Sequence, residues 1–421
     1  MKHGGYTGLW GALVLALLAT GCANGSDDGD RTSDKAVIEV DRPTALADEP
    51  VRIKITGLHA GERITVTSKA DDHEGNAWAG KAVFTADRRG TVDLAQDRPD
   101  SGTYRSADGM GLFWSMNPVN GDDPNASTFH ATSPDRERSY PVRIAVESDG
   151  RAIAERELTR TWMREGVRSR ALVFSRDKVI GRLLTPAKGA PRRAPVLLFG
   201  GSEGGAAPAT DAALLASRGH PTLLLCYFDC RSSDTPAILK NVPLEYFATA
   251  ARLLAREPGV DAGRMVAMGT SRGTEPAQLL AQHYPDLIRD AVVYAPTDEV
   301  VGAFPEKGAA WTLGGEPVPE GPIPYDRMRG AVLAIAGGQD TLWQARDYAE
   351  SIAARRGTRE PHRALVHPEA GHLVGSYPHV PTGISIVHPL TGDVTPMGGS
   401  RPADARARAA SWPQVLDFLG R

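Results

Sequence analysis

Cysteine is scarce in this chain, with three among 421 residues, at positions 22, 226 and 230. So few cannot form the disulfide framework on which small secreted scaffolds depend. The core must come from apolar packing, for which a 41% hydrophobic content is ample. An excess of one charge is lacking too. Lys and Arg number 48 against 51 Asp and Glu, a formal charge of −3. With no basic run, neither nucleic acid nor an anionic membrane surface is an expected partner. The apolar stretch at residues 9–19 (LWGALVLALLA) falls short of the ~20 residues that span a bilayer. Following Lys2, it has the proportions of an export signal. The phosphate-binding pattern ending in Gly-Lys-Ser/Thr is absent, as are His-Glu-x-x-His and the spaced calcium loop. The cluster Asp71-Asp72-His73-Glu74 fits none of these and reads as a solvated hairpin loop. Neither a metal nor an organic cofactor is expected.

What is present divides the chain into segments. Residues 18–22 (LATGC) resemble the lipobox of bacterial lipoproteins, although Ala19 stands where that motif favours leucine. The resemblance implies a signal over 1–21 and a lipid on Cys22 that anchors the exported protein to the outer face of the bacterial cell membrane. Residues 22–35 are polar and without apolar period, as in a flexible tether. Over 36–162, short β-type runs such as 37–40 (VIEV), 51–55 (VRIKI), 64–67 (ITVT) and 142–146 (VRIAV) alternate in polarity between Gly, Pro and Asp clusters. That pattern predicts a β-sandwich. Over 163–421 the rhythm changes to apolar strands alternating with helices. The strands are 195–199, 222–225, 265–268, 291–294, 331–335 and 364–366, and one helix is 244–256 with Leu244, Phe247, Ala248, Ala251 and Leu254 on one face. A mostly parallel sheet covered on both sides follows, an α/β-hydrolase arrangement. The Gly/Pro-rich stretch 382–406 is expected to be irregular, before a last helix carrying Trp412, Val415, Leu416 and Phe418. Cys226 and Cys230, at the end of an apolar run, read as buried strand cysteines rather than as a pair.

The chemistry centres on residues 268–273, Met-Gly-Thr-Ser-Arg-Gly. A strand ends there and a helix resumes at about 275–282. Glycines two residues either side of Ser271 permit a sharp turn that lifts its hydroxyl above the sheet edge. A serine hydroxyl is a poor nucleophile until a base removes its proton. In this fold the partners follow in the order nucleophile, acid, histidine. The acid is then Asp340, after the strand 331–335, with Asp298 as the runner-up. The base is His372, after the strand 364–366 and freed to turn by Gly371; its competitor His367 belongs to the strand end. His220 and His283 read as surface residues. The loop 199–205 (FGGSEGG) follows a strand and precedes a helix near Ala209. Such a loop can offer backbone N–H groups to an oxyanion, with Ser202 or Glu203 joining the amide of Arg272. Phosphate binding by the same loop is the weaker reading, since no lysine follows it.

These residues and their surroundings are similar to the family of acyl-CoA thioesterases and bile acid-CoA:amino acid N-acyltransferases. The similarity covers most of the chain after the tether. It is carried by 45–51 (ALADEPV), 109–116 (GMGLFWSM), 199–205, 244–247 (LEYF), the elbow through Glu275, 338–343 (GQDTLW) and 370–373 (AGHL). It implies Ser271 as nucleophile, His372 as base, Asp340 as orienting acid and a sandwich that helps shape the acyl pocket. Conjugating members carry cysteine where this chain has Ser271, so hydrolysis of an acyl thioester or ester is implied over acyl transfer to an amine. Gln339 replaces an acid often found before the triad aspartate. Export sits awkwardly with acyl-CoA, an intracellular compound, so the resemblance bears on mechanism more than on donor. Outside enzymes, the competing reading is a ligand-binding lipoprotein on an inherited fold.

Overall fold

Alternation makes the first strands. In Arg63–Asp71 and Ser139–Ser148 every second side chain is buried through most of the strand, the period of a sheet with one face in the core. The computed structural model describes residues 36–130, 132–356, 358 and 360–421. The expected signal, tether and lipidated Cys22 lie outside them. Ser139–Ser148 pairs antiparallel with Arg63–Asp71 and Arg151–Thr161 in a seven-stranded sheet. A three-stranded sheet of Val37–Val40, Ile53–Thr56 and Val92–Asp93 shares one core with it through Ile53, Ile55, Val66 and Ile144. This is the sandwich. The acidic cluster lies at the turn between Arg63–Asp71 and Ala77–Thr85, where Asp72 accepts the N–H groups of Glu74 and Asn76 at 2.9 Å each.

The third sheet has eight strands: β1 (Arg168–Leu172), β2 (Ile180–Thr185), β3 (Val196–Phe199), β4 (Thr222–Cys226), β5 (Val266–Thr270), β6 (Asp290–Tyr294), β7 (Val332–Gly337) and β8 (Arg363–His367). Their spatial order is β1-β2-β4-β3-β5-β6-β7-β8. Only the pairs made by β2 are antiparallel. The helices are α1 (Ala209–Ser217), α2 (Leu244–Ala255), α3 (Thr274–His283), α4 (Ala345–Ala354) and α5 (Arg401–Gly420). Period-two burial sorts them between the faces. Val196, Leu198, Val266, Met268, Val292 and Leu333 pack with α1, α5 and the sandwich core. Leu197, Phe199, Ala267, Val293 and Ala334 pack with α2, α3 and α4. The strand ends that precede Ser271, Asp340 and His372 therefore emerge between two covered faces. Residues 35–421 form one compact unit.

Three expectations are corrected. The stretch 382–406 is not irregular: Ser385–Val387 pairs with Val394–Pro396 as a short hairpin, and α5 already begins at Arg401. The Ser400 hydroxyl caps that helix and Pro402 fits its first turn, where the missing N–H costs nothing. Cys226 and Cys230 are joined in a disulfide. The chain reverses after β4 through a left-handed Asp229 (φ 49°), which brings the two Cα atoms to 5.8 Å. His220 is buried rather than superficial, its Nδ1 2.9 Å from the Ala194 carbonyl oxygen, and burial lowers its pKa to about 4. Among the described residues, no helix is long and apolar enough to cross a membrane.

Candidate active site

Apolar Val266–Met268 runs β5 through the core, and the chain then turns within one residue. Ser271 takes φ 53°, a left-handed value that a residue with a Cβ adopts only under constraint. The constraint is close packing. A Cβ on Gly269 would stand 2.1 Å from the Gly273 carbonyl oxygen, and one on Gly273 would stand 2.2 Å from that of Gly200. Only glycine fits at either place. Beyond Ser271 one turn of 3-10 helix, Ser271–Gly273, leads straight into α3. The Arg272 N–H thus belongs to a first turn, where backbone donors lack a helical acceptor. Its guanidinium is directed elsewhere, donating to Glu275 Oε1 (2.5 Å) and to the carbonyls of Val301 (3.0 Å) and Gly302 (2.7 Å). Glu275 is buried, which raises its pKa. It also accepts from Val301 N–H at 2.9 Å and Trp311 Nε1 at 2.8 Å.

Asp340 and His372 are brought together. Asp340 follows β7 and His372 follows β8, and His372 Nδ1 is 2.7 Å from Asp340 Oδ2. The two side chains are 2% and 4% exposed. A carboxylate only accepts, so Nδ1 carries the proton and Nε2 is left as the basic nitrogen. Asp340 Oδ1 accepts the N–H of Leu342 at 2.8 Å, which fixes the carboxylate. Trp343 stands edge-on to the imidazole, with ring centroids 5.6 Å apart, and is itself tethered by Nε1 to the Ala295 carbonyl. The C-terminal segment holds the same loop from the other side. His372 N–H donates to the Met397 carbonyl (2.7 Å), and Gly371 N–H donates to Asp404 Oδ1 (2.7 Å). Burial raises the Asp404 pKa to about 6. Three residues past His372, the chain at Gly375 lies against Thr270 and Tyr294, at the ends of β5 and β6.

The competing candidates have other partners. His367 Nε2 lies 2.7 Å from Ser411 Oγ on α5. Asp298 accepts from Ser351 Oγ (2.5 Å) and Arg355 (2.9 Å). In the 199–205 loop it is Gly201 that stands directly against the nucleophile candidate: a Cβ there would be 2.9 Å from Ser271 Cβ. Its N–H donates to the Glu203 carboxylate at 2.9 Å. Tyr227 steadies the loop from below, its hydroxyl donating to the carbonyls of Gly200 (3.0 Å) and Gly201 (3.2 Å). Ser202 Oγ lies 3.2 Å from Nε2 of His388, at the end of the 385–387 strand. The Leu390 N–H donates to His388 Nδ1 at 3.3 Å, so Nε2 bears the proton and donates to Ser202. Sequence reasoning missed Trp343, Asp404, His388 and the Glu203 side chain. Trp343 and Glu203 lie inside the 338–343 and 199–205 segments without standing out there, while Asp404 and His388 act across 33 and 186 positions that no local pattern bridges.

The strand order, and a strained serine between the fifth strand and a helix, define an α/β-hydrolase. The chain matches two family descriptions in order: the acyl-CoA thioester hydrolase/BAAT N-terminal region over residues 48–173, and the BAAT/acyl-CoA thioester hydrolase C terminal over 307–421. It belongs to that family. Acyl-coenzyme A thioesterase 6 of Mus musculus is 28% identical over 412 residues, 88% of this chain and 93% of the relative. The mitochondrial acyl-coenzyme A thioesterase 2 of Homo sapiens is 26% identical over 408 residues, 88% and 81% of the two chains. Acyl-coenzyme A amino acid N-acyltransferase 1 of Mus musculus is 26% identical over 412 residues, 89% and 95%. Among solved structures, dienelactone hydrolase from Anabaena variabilis aligns with a TM-score of 0.36 and 17% identity, over 59% of this chain and 99% of that one.

Proposed function

We propose that this chain is a serine hydrolase of acyl thioesters or acyl esters that works through Ser271, His372 and Asp340. One observation carries the reading. A serine held at positive φ shares the C-terminal edge of a parallel sheet with an imidazole whose Nδ1 is committed to a carboxylate. In the reaction, His372 Nε2 takes the Ser271 proton as the oxygen attacks the acyl carbonyl, and Asp340 stabilises the imidazolium. Backbone N–H groups of Arg272 and of the 200–205 loop receive the oxyanion. The sequence reading assigns the loop donor to Ser202 or Glu203, and the contact with Ser271 adds Gly201. His372 then protonates the leaving thiol or alcohol, and water activated by the same nitrogen releases the acid.

The names of the relatives make acyl-coenzyme A thioesters the first donors to test. We place the protein outside the cytoplasmic membrane, anchored by lipid at Cys22. The Cys226–Cys230 disulfide supports that placement, because such bonds persist in oxidising compartments. An exported enzyme meets other esters and thioesters, so simple esters belong in the same panel. A fluorophosphonate probe is expected to label the protein, and Ser271→Ala to lose both labelling and turnover by at least ~10³-fold. Well-folded protein that resists the probe would instead be a ligand binder. With glycine or taurine present, free acid is the expected product, and an amide would assign acyl transfer.

A further inference from the structure

No step above uses the Glu203 carboxylate, yet it stands at the reacting serine. Its Oε1 holds the Gly201 N–H at 2.9 Å. Its Oε2 and the Ser271 Cβ lie 2.7 and 2.9 Å from the single point where a Gly201 Cβ would be. The amide of the loop residue that stands against the nucleophile is therefore already occupied by a carboxylate. An acyl carbonyl attacked by Ser271 develops negative charge that needs such a donor, and a resident carboxylate both takes the hydrogen bond and repels the new charge. The Arg272 guanidinium makes no ion pair with Glu203, donating instead to Glu275 and to the carbonyls of Val301 and Gly302. Glu203 is exposed, so its side chain can swing to solvent without disturbing the core.

We propose that Glu203 is a specificity-determining residue. In the resting protein its carboxylate occupies the Gly201 amide, and an acyl carbonyl is admitted only as that carboxylate leaves. The acyl class follows from the charge. Neutral acyl chains displace Glu203 readily, while acyl groups carrying their own carboxylate near the reacting carbonyl meet a like charge and are excluded. This inference rests on Ser271 as the nucleophile.

The test compares the full chain with Glu203→Ala and Glu203→Gln, using a neutral fluorophosphonate and two N-acetylcysteamine thioesters, butanoyl and hemisuccinyl. Glu203→Ala is expected to be labelled at least ~10-fold faster than the unaltered protein, because the amide is vacant. The ratio of hemisuccinyl to butanoyl kcat/KM is expected to rise at least ~10-fold in both variants, because both lack the charge. Unchanged labelling and an unchanged ratio overturn the proposal, as does slower labelling of a Glu203→Ala protein whose circular dichroism is intact. If the unaltered protein and Ser271→Ala are equally inert to the probe, the nucleophile assignment itself has failed. If the probe discriminates those two and Glu203 makes no difference, only the present inference has failed.

Discussion

Asp404 acts on the imidazole loop through a single hydrogen bond, accepting the Gly371 N–H beside His372. Replacing it by alanine leaves that buried donor without an acceptor, a cost of about 1–3 kcal/mol, and loosens the loop that aims His372. Asp404→Ala is expected to lower kcat by about 10-fold with KM little changed, and Asp404→Asn, which still accepts, to recover most of the loss. The same residue ties stability to pH. Its folded pKa of about 6 lies above the ordinary 3.8 because burial disfavours the charge. Between those values the native state keeps a proton that the unfolded chain has lost, so this group's contribution falls as pH rises from about 4 through 6. In urea titrations across that window, Asp404→Asn is expected to lose this dependence. At this scale the elbow was legible, since glycines two residues either side of a serine after an apolar strand constrain the turn locally. The meeting of Asp340 and His372 was legible by chain order, each lying just after a strand. Asp404 was not, because it lies 33 positions from the amide it holds.

The hairpin of Ser385–Val387 and Val394–Pro396 is the element least expected from composition. Its strands are three residues each, and Gly and Pro surround it, so no run is long enough to declare a period. Tertiary contacts hold it instead. His388 donates to Ser202 and stacks edge-on against Phe304, with ring centroids 4.9 Å apart, while Leu390 packs against the apolar layer beneath α2, α3 and α4. His388→Ala removes the tie to the 200–205 loop, worth about 1 kcal/mol for one neutral hydrogen bond. Hydrogen exchange of the 388–393 amides is expected to quicken by about 5- to 10-fold, with β5 and β6 unaffected. Equal exchange in both proteins would show that Leu390 alone anchors the tip. The disulfide beside β4 escaped the sequence reading for a similar reason. A spacing of four says nothing until the left-handed turn at Asp229 brings the two ends together.

Across the whole molecule, sandwich and hydrolase share one core, in which Ile53, Phe113 and Ile144 join Leu214, Val292 and Trp412. Asp48, next to the first sandwich sheet edge, ties three parts of the chain together. Its Oδ2 accepts from Arg218 Nε just beyond α1 and from Trp412 Nε1 on α5, each at 2.6 Å. Asp48→Ala strands both donors. The cost is expected at about 2–4 kcal/mol in denaturant titration, below the full value for a buried pair because Arg218 is 24% exposed and can rehydrate. Calorimetry of residues 35–421 is expected to give one transition rather than two. Apolar period alone announced β3 to β8 and the alternating strands of the sandwich, because continuous runs and alternation follow from how many faces each sheet buries. It did not announce β1 and β2, whose side chains are mostly half-buried or exposed, nor the 385–396 hairpin. Which residues meet was decided only in three dimensions. A hydrogen bond between positions 32 or 364 apart, such as His372 to Asp340 or Trp412 to Asp48, depends on the packing of whole layers, and no local preference of the chain encodes it.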